Sequence, residues 1–288
     1  MPSTRQLKSR SRSVKSNKQI TKAMELVAAS KLRRAQDASR SSSAYALASR
    51  ELLTQLGNVT DVQRFPFFEK RKVEARLAIL ITSDRGLAGA YNANAIKQFV
   101  QLLERDKKAG ITTQAICVGR RGAQFAARIK GVEVVGVYTG MPDHITANDF
   151  RPLLVNAVDH FLEGKVDAVD IITTRFVNSF IQTAETIPLL PAVFEVTEVS
   201  KDMQQATFEP SVEVVLEGAV IRLLEAQLYQ ALLDAKASEE SMRRVAMKNA
   251  TDNASELVDD LTLEMNKVRQ AAITQELAEI SSGAEAMK

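Results

Sequence analysis

The chain has 288 residues, of which 45% are hydrophobic and 25% charged, and its formal net charge is +3. This composition lies in the range of folded globular proteins, and the low aromatic content of 5% favours packing of helices through small residues over one large core. The longest apolar run, residues 77–81, is far shorter than the roughly 20 residues that a bilayer-spanning helix needs. The sequence therefore does not predict an integral membrane protein.

The N-terminal segment is almost free of helix breakers. Residues 1–65 contain a single proline, Pro2, and a single glycine, Gly57. Proline removes a helical hydrogen bond and clashes with the preceding turn, so its absence permits a long helix. At about 1.5 Å per residue such a helix would extend roughly 80 Å, too long to lie inside a globule of this mass.

The same segment is strongly basic. Residues 1–40 carry eleven Lys or Arg and two acidic residues, which gives a net charge of +9. A Ser- and Arg-rich start of this kind has the character of a transit peptide, and it also suits an arm that binds nucleic acid. The third possibility is pairing with an acidic helix elsewhere in the chain.

The middle of the chain alternates strands and helices. Strands are predicted at residues 75–83, 112–119, 132–138, 166–176 and 179–189, and helices at residues 92–108, 121–129 and 148–163. This alternation favours an α/β domain with a Rossmann-like open sheet that is mostly parallel. The last two strands are separated by a connection too short for a parallel crossover, so the final strand is predicted to be an antiparallel edge.

The glycine-containing turn after the first strand raises the possibility of a nicotinamide-binding enzyme. The dinucleotide fingerprint requires G-x-G-x-x-G and an acidic residue at the end of the second strand. This chain has only Gly86 and Gly89 in the turn, and its second strand ends in Gly119-Arg120-Arg121. We therefore interpret the glycines as parts of a tight turn, and predict no bound cofactor.

Other catalytic patterns are missing from the sequence. There is no P-loop, no nucleophile elbow, and only His144, His160 and Cys117 as histidine and cysteine ligands, so neither a catalytic residue nor a metal site is predicted. Cys117 is interpreted as a buried, inert thiol. The carboxylate pairs Glu239-Glu240 and Asp259-Asp260 are interpreted as surface charge on a helix.

The C-terminal segment predicts a second long helix. Residues 211–288 contain no proline and only Gly218 and Gly283, enough for roughly 110 Å of helix. They carry fourteen acidic and eight basic residues, a net charge of −6. Because this charge is opposite to that of the N-terminal segment, pairing of the two ends is favoured over a cleaved or nucleic-acid-binding tail.

Heptad frames on both segments describe a weak coiled coil. About half of the frame positions are small or polar, where a dimeric zipper would have Leu, Ile or Val, so the pair is expected to need support from the middle domain or from a surrounding partner. The predicted N-terminal columns are Leu7, Val14, Thr21, Ala28 and Ala35, and Arg10, Asn17, Met24, Lys31 and Ala38. The predicted C-terminal frame is Leu257, Leu261, Glu264, Val268, Ala271, Gln275 and Ala278.

The end of the C-terminal helix has apolar residues on more than one face. Residues 271–280 read AAITQELAEI. A helix that is apolar on several sides is normally enclosed, although apolar residues also occur at fraying ends. The more specific hypothesis is that this end of the helix inserts into a sleeve formed by other subunits.

Three blocks resemble the gamma subunit of F-type ATP synthases. Residues 20–31 (ITKAMELVAASK) are similar to the family's N-terminal helix signature, and residues 83–92 (SDRGLAGAYN) to its first strand–helix turn. Residues 246–254 (AMKNATDNA) and 267–280 (KVRQAAITQELAEI) are similar to its C-terminal signature. The resemblance extends over essentially the whole chain.

This resemblance implies a rotor shaft. The two terminal helices would form an antiparallel coiled coil inside a ring of three alpha and three beta subunits, and the sheet domain would bind the epsilon subunit and the membrane c-ring. The shaft would couple ring rotation to ATP synthesis or hydrolysis without catalytic residues, cofactors or metals of its own. The implied location is the cytoplasmic face of a bacterial inner membrane, with membrane contact only through the c-ring and no nucleic acid as a partner.

The resemblance also implies contact residues and boundaries. The predicted contacts with beta subunits are Met24, Arg243, Arg269, Gln270 and Thr274, and the predicted contacts with the c-ring are Phe208, Glu209 and Pro210. The predicted division is an N-terminal helix at 1–60, a linker at 61–74, an α/β domain at 75–209 and a C-terminal helix at 210–288.

Overall fold

Two long helices flank a five-stranded α/β domain, as the sequence predicts. The computed structural model describes residues 4–59, 65–192 and 211–286. The elements are α1 (Thr4–Val59), a 3-10 turn (Pro66–Phe68), β1 (Ala75–Ile81), α2 (Tyr91–Ala109), β2 (Thr112–Val118), α3 (Arg120–Ala126), β3 (Val132–Tyr138), α4 (Ala147–Leu162), β4 (Ala168–Phe176), β5 (Gln182–Leu190) and α5 (Val212–Ala286).

The chain divides into two compact units. One unit comprises Met1–Ala28 and Arg243–Lys288, and the other comprises Ala29–Met242. The first therefore contains one part of each long helix, and the second contains the whole sheet together with the remaining parts of α1 and α5. The domain boundaries derived from the sequence stay a prediction.

The sheet is open and mostly parallel. Its strand order is β3-β2-β1-β4-β5. Three of the four pairings are parallel, and only β4 with β5 is antiparallel. The connection between those two strands, residues 177–181, is too short for a crossover, so the predicted antiparallel edge strand is confirmed.

Both faces of the sheet are covered. Side chains alternate along β1, so Leu77 and Ile79 belong to a core cluster with α4 and α5, whereas Ala78 and Leu80 belong to a second cluster with α2. A parallel sheet that is buried on both faces reads as an almost continuous apolar run, which is why residues 77–81 have little polar alternation.

The first part of α5 is a structural layer of this domain. Its buried residues in the larger core cluster recur at spacings of three, four and seven, the pattern of one helix face. They are Leu216, Val220, Leu223, Leu224, Leu228, Ala231, Leu232 and Ala235. The C-terminal helix therefore owes its position to the sheet and not only to pairing with α1.

One predicted seam column of α1 is confirmed, and the other is wrong at its first two positions, whereas its Met24, Lys31 and Ala38 are half-buried. Leu7, Ala28 and Ala35 are buried as the first column requires. Arg10 and Asn17 of the second column are exposed, and the positions that follow Arg10 and Lys31, namely Ser11 and Leu32, are buried instead. The spacing is four then three, where three then four was predicted.

The predicted frame of α5 contains the same error. Leu261 is buried and Val268 is half-buried, as predicted, but Leu257 and Glu264 are exposed. Their C-terminal neighbours, Val258 and Met265, are half-buried instead, whereas Ala271, Gln275 and Ala278 are exposed. The predicted column and the observed one are shifted by a single residue. Because both contain small or polar residues, the sequence pattern does not distinguish them, and the packing partner of each helix decides which column is buried.

The long helices run antiparallel. The hydroxyl oxygens of Thr21 and Thr251 are 2.8 Å apart, and Ser39 Oγ donates to Asp234 Oδ1 at 2.9 Å. As α1 advances from Thr21 to Ser39, α5 therefore recedes from Thr251 to Asp234. This confirms the antiparallel pair.

Gly119 is required where β2 meets α3. Its backbone has φ 89°, and a Cβ at this position would lie 2.2 Å from the carbonyl oxygen of Thr82, which is fixed backbone. Gly131 has a similar φ of 87°, but a Cβ there would meet nothing within 4 Å. The two glycines share the conformational penalty, and only Gly119 adds a steric clash.

We expect Gly119→Ala to destabilise the fold much more than Gly131→Ala. The clash must be relieved by moving backbone, at a cost of about 3 kcal/mol beyond the shared penalty. That corresponds to a thermal midpoint roughly 6–12 °C below that of Gly131→Ala. Calorimetry of both purified variants measures the difference, and equal midpoints would contradict the analysis.

Candidate functional site

The seam between α1 and α5 in the first unit contains many small side chains. Thr21 and Thr251 meet through their hydroxyl groups, and Ala28 is buried at 1% exposure. Thr251 Oγ1 also lies 2.8 Å from the Met247 carbonyl, one turn earlier. Small residues permit close helix approach but bury little apolar surface, so the seam is weaker than a leucine seam.

The last described turns of α5 are fully exposed. Every residue from 269 to 282 is exposed, including three large apolar side chains: Ile273 at 49%, Leu277 at 62% and Ile280 at 69%. Their spacing of four and then three residues places them on one helix face. An aligned, exposed apolar stripe of this kind indicates a surface that another protein covers.

The sequence-predicted contact residues fall into three groups. Arg269, Gln270 and Thr274 are exposed next to the apolar stripe, and Thr274 Oγ1 donates to the Gln270 carbonyl at 2.9 Å. Met24 is half-buried on α1, and Arg243 is buried on α5. Phe208, Glu209 and Pro210 lie outside the described residues. The roles given to all these residues stay predictions.

In the second unit, hydroxyl groups fix α5 to the β4–β5 hairpin. Thr173 Oγ1 donates to the Ala231 carbonyl at 3.1 Å, and Ser238 Oγ donates to the Thr174 carbonyl at 3.0 Å. Ser241 Oγ donates to the Ser179 carbonyl at 3.2 Å. Since Thr173 and Ser238 are buried to 1% exposure or less, these bonds form in a low-dielectric setting, where directional contacts are strong.

The prediction that Glu239-Glu240 is surface charge is wrong. Both side chains are buried, with Glu239 at 9% and Glu240 at 3% exposure. They follow directly after Ser238, on the stretch of α5 that packs against the hairpin. Asp259-Asp260 is exposed, so the same interpretation is confirmed for that pair.

An ionic cluster joins three separate elements. Asp143, in the connection before α4, lies 2.8 Å from Lys31 Nζ of α1 and 3.6 Å from Lys236 Nζ of α5. Burial acts to raise the pKa of Asp143, but the hydrogen bond from Lys31 and the charges of Lys31 and Lys236 outweigh it and hold the pKa below its ordinary value. From the sequence, Lys31 was predicted to lie in the seam. No sequence pattern indicates its ion pair with Asp143, which is 112 residues away.

Asp84, in the turn after β1, binds the turns that follow β2 and β3. Asp84 Oδ1 accepts from the Arg120 backbone N–H at 3.1 Å, and Asp84 Oδ2 accepts from the Gly140 backbone N–H at 2.8 Å. These two hydrogen bonds hold three turns together at the carboxyl edge of the sheet.

Reactive groups are few in the part of the chain that the structure describes. Burial raises the pKa of the Cys117 thiol to about 11, so this buried sulfur is protonated and unreactive at neutral pH, as predicted. No group of three or more His, Cys, Asp or Glu residues that could hold a metal ion occurs among the described residues. No described helix is long and apolar enough to cross a membrane.

Comparison with known proteins gives a consistent result over the full length. A family model described as ATP synthase matches residues 3–287. The chain is 40% identical over 289 residues to the ATP synthase gamma chain of Roseiflexus castenholzii, covering 100% of this chain and 99% of that one. It is 38% identical over 287 residues to the ATP synthase gamma chain of Dechloromonas aromatica, covering both chains completely.

Solved structures share the fold. A chain of the Euglena gracilis mitochondrial ATP synthase (OSCP/F1/c-ring, rotational state 3) has a TM-score of 0.70 at 20% identity, covering 99% of this chain and 94% of that chain. A chain of the Tetrahymena thermophila central stalk and c-ring has a TM-score of 0.60 at 23% identity, covering 80% of this chain and 99% of that chain. At these identities the likeness speaks for the fold alone.

We expect Asp143→Asn to lower the thermal midpoint at neutral pH by roughly 2–4 °C, since a partly exposed ion pair contributes about 1 kcal/mol or less. Because the folded pKa of Asp143 is lowered, its stabilisation is present above the unfolded-state value of about 3.9 and disappears as the pH falls through the folded value.

The difference between the parent chain and Asp143→Asn should therefore be constant near neutral pH and shrink as the pH falls below about 3.9. Asp159→Asn, at an exposed position of α4, serves as the control and should show little difference at any pH. A difference for Asp143→Asn that grows as the pH is lowered would contradict the assignment.

Proposed function

This chain belongs to the ATP synthase gamma chain family and serves as the rotor shaft of the central stalk, and from this premise we propose how it meets its partners. The exposed end of α5 enters a ring of three alpha and three beta subunits. The sheet domain binds the epsilon subunit and rests on a membrane c-ring, through which alone the chain contacts the membrane.

One observation carries this proposal: α5 belongs to two environments at once. From Leu216 to Ala235 it forms part of the sheet core, and from 269 to 282 it is fully exposed with an apolar stripe. A single helix of 75 residues therefore belongs both to the domain that would bind the c-ring and to the apolar surface that the alpha and beta subunits would enclose. The side chains of Ile273, Leu277 and Ile280 are apolar and make non-directional contacts, which suits a surface that must be remade at each rotary step.

The mechanism requires differential contact. A ligand that binds two conformations equally shifts neither of them, so a symmetric shaft would leave three beta subunits equivalent. The helix pair is asymmetric because its two members differ in length and charge. Each beta subunit would face a different side of the pair, and rotation would carry the favoured conformation, and with it nucleotide affinity, from one subunit to the next.

Specific contacts follow from the same premise. Arg269, Gln270 and Thr274 would bind loops of beta subunits beside the apolar stripe, and an exposed Arg is suited to a bidentate bond with a carboxylate. Arg243 would also contact a beta-subunit loop, and Met24 would lie close to the lower face of those subunits. Phe208, Glu209 and Pro210 are proposed to contact polar loops of the c-ring.

The shaft would have no catalytic residues, cofactors or metals of its own, and chemistry would take place on the beta subunits. We place it peripherally on the cytoplasmic face of a bacterial inner membrane. Neither a nicotinamide-dependent enzyme nor a nucleic-acid scaffold is favoured by an observation on the described residues.

Assembly tests the stoichiometry directly. Expression with alpha and beta subunits, followed by purification through a tag on this chain, should yield a complex with three copies of each per copy of the chain by native mass spectrometry. The isolated chain should hydrolyse no ATP. A complex with equal numbers of all three chains, or turnover by the purified chain, would contradict the proposal.

Replacing Ile273, Leu277 and Ile280 with Asp should impair assembly or coupling, because charges would then enter an apolar sleeve. We expect ATP-driven ion pumping per ATP hydrolysed to fall to half or less in reconstituted vesicles. The control is an equal number of new charges at exposed polar positions of the same helix, Asn249→Asp, Asn253→Asp and Thr262→Asp. Equal effects of the two triple variants would show that the apolar stripe has no special role.

A further inference from the structure

Two helices of the second unit lie side by side on one face of the sheet. Arg151 Nε of α4 is 3.2 Å from Glu225 Oε1 of α5, and the rings of Phe150 and Tyr229 stack with their centroids 5.4 Å apart. The Tyr229 hydroxyl also donates to the Ile145 carbonyl at 3.3 Å. These contacts fix which part of α5 lies beside the start of α4.

The two helices run in opposite directions. The hydroxyl bonds between α5 and β4 move forward along both elements, so α5 and β4 are parallel. The short connection at residues 163–167 joins the end of α4 to β4, so α4 runs against that strand and hence against α5. A position after Arg151 on α4 therefore lies level with the position the same number of residues before Glu225 on α5.

Apolar side chains are exposed at matching levels of this antiparallel pair. Val155 and Ile221 lie four residues from the ion pair, and Leu162 and Val214 lie eleven residues from it. They are 50%, 38%, 41% and 55% exposed, respectively. Steps of four and eleven residues return to the same side of a helix, so these four side chains form a common surface, which we call the α4–α5 surface.

A glycine occupies the centre of the α4–α5 surface. Gly218 lies between Val214 and Ile221 on α5 and is exposed, and a Cβ built on it would meet no atom of the described residues within 4 Å. Glycine inside a helix costs about 0.5–1 kcal/mol relative to alanine. Since the described part of the chain does not require a glycine at this position, the missing side chain leaves space for another molecule to approach the helix backbone closely.

We propose that the α4–α5 surface is the docking surface for the epsilon subunit, which covers it with an apolar face and comes closest to the backbone of α5 at Gly218. The inference rests on the proposed function, which it deepens by assigning where on the sheet domain this partner binds. An exposed apolar area shared by two packed helices is the kind of surface that a protein partner buries.

Position and charge select this occupant among the proposed partners. The surface begins at Val214, four residues after Pro210, and lies in the unit that contains the sheet, whereas residues 269–282 are the part proposed to enter the alpha and beta ring. The proposed contact with the c-ring is with polar loops, which do not match an apolar surface. Because Asp159 and Glu217 are exposed beside it, the matching face of the epsilon subunit would be apolar with basic side chains at its rim.

The first experiment fills the space at Gly218. A complex of this chain with alpha and beta subunits is purified without epsilon, and the affinity for purified epsilon subunit is measured by calorimetric titration. Gly218→Leu should weaken binding at least tenfold, because the new side chain projects into the interface. The matched control is Ala93→Leu, at an exposed position of α2 on the opposite face of the sheet, which should bind like the parent complex.

The thermal midpoint separates loss of docking from loss of folding. Leucine has a higher helix propensity than glycine, so Gly218→Leu should unfold at the same temperature as the parent chain or above it. Equal affinity of Gly218→Leu and Ala93→Leu for the epsilon subunit would overturn the inference, and so would a loss of binding that is matched by a lower midpoint.

The second experiment places charge on the apolar side chains. Val155→Asp combined with Val214→Asp should also weaken binding of the epsilon subunit at least tenfold, while the alpha and beta subunits stay bound. The control carries Ala93→Asp and Gln101→Asp, two new charges at exposed positions of α2, and should bind epsilon normally. If the surface variant instead loses the alpha and beta subunits and keeps epsilon, the assigned occupant is wrong.

The parent complex separates this inference from the proposed function. If the parent chain does not assemble with alpha and beta subunits, the proposed function itself fails. If the parent complex assembles and binds epsilon, and both surface variants bind it equally well, the shaft role stands and the docking surface is wrong. A parent complex that assembles but does not bind epsilon would overturn the choice of occupant.

Discussion

The burial of one end of α5 within the sheet core is the constraint on which the molecule depends. Leu216, Val220 and Leu228 complete the layer over β1 and β4, so removing this helix would expose the apolar face of the sheet. The same helix then continues without proline to Ala286. A helix transmits rotation only if it is held at one end, and here the hydrophobic effect supplies that hold, with buried hydroxyl bonds fixing the angle.

The pair formed with α1 is held by weaker means. Its seam has threonine, serine and alanine at many positions where a zipper would have leucine, and the hydroxyl groups of Thr21 and Thr251 meet across it. Small seam residues give two helices in close contact with little buried apolar area. The large apolar side chains near the end of α5 are exposed, so this part of the helix buries little apolar surface on folding.

Several ionisable groups hold separate elements together. Arg76 binds Asp106 of α2 and Asp170 of β4 at the edge of the sheet opposite Asp84, and burial raises the pKa of Asp170 despite the neighbouring guanidinium. Asp84 satisfies the backbone N–H groups of two strand-end turns, and Asp143 joins α1 to α5. These networks are structural joints between elements, in keeping with a protein whose work is mechanical.

The amino-acid sequence alone determined the long helices, the α/β order and the antiparallel edge strand, because proline distribution, apolar periodicity and connection length act locally. It also placed Arg269, Gln270 and Thr274 on one stretch of helix, through a family resemblance whose residue roles stay predictions. Tertiary structure alone decided which seam columns are buried, that Glu239 and Glu240 lie inside, and that Lys31 meets Asp143. Adjacent columns of small and polar residues are equivalent as patterns, and the contacts that distinguish them join residues 112 to 230 positions apart, a separation that only the packed fold closes.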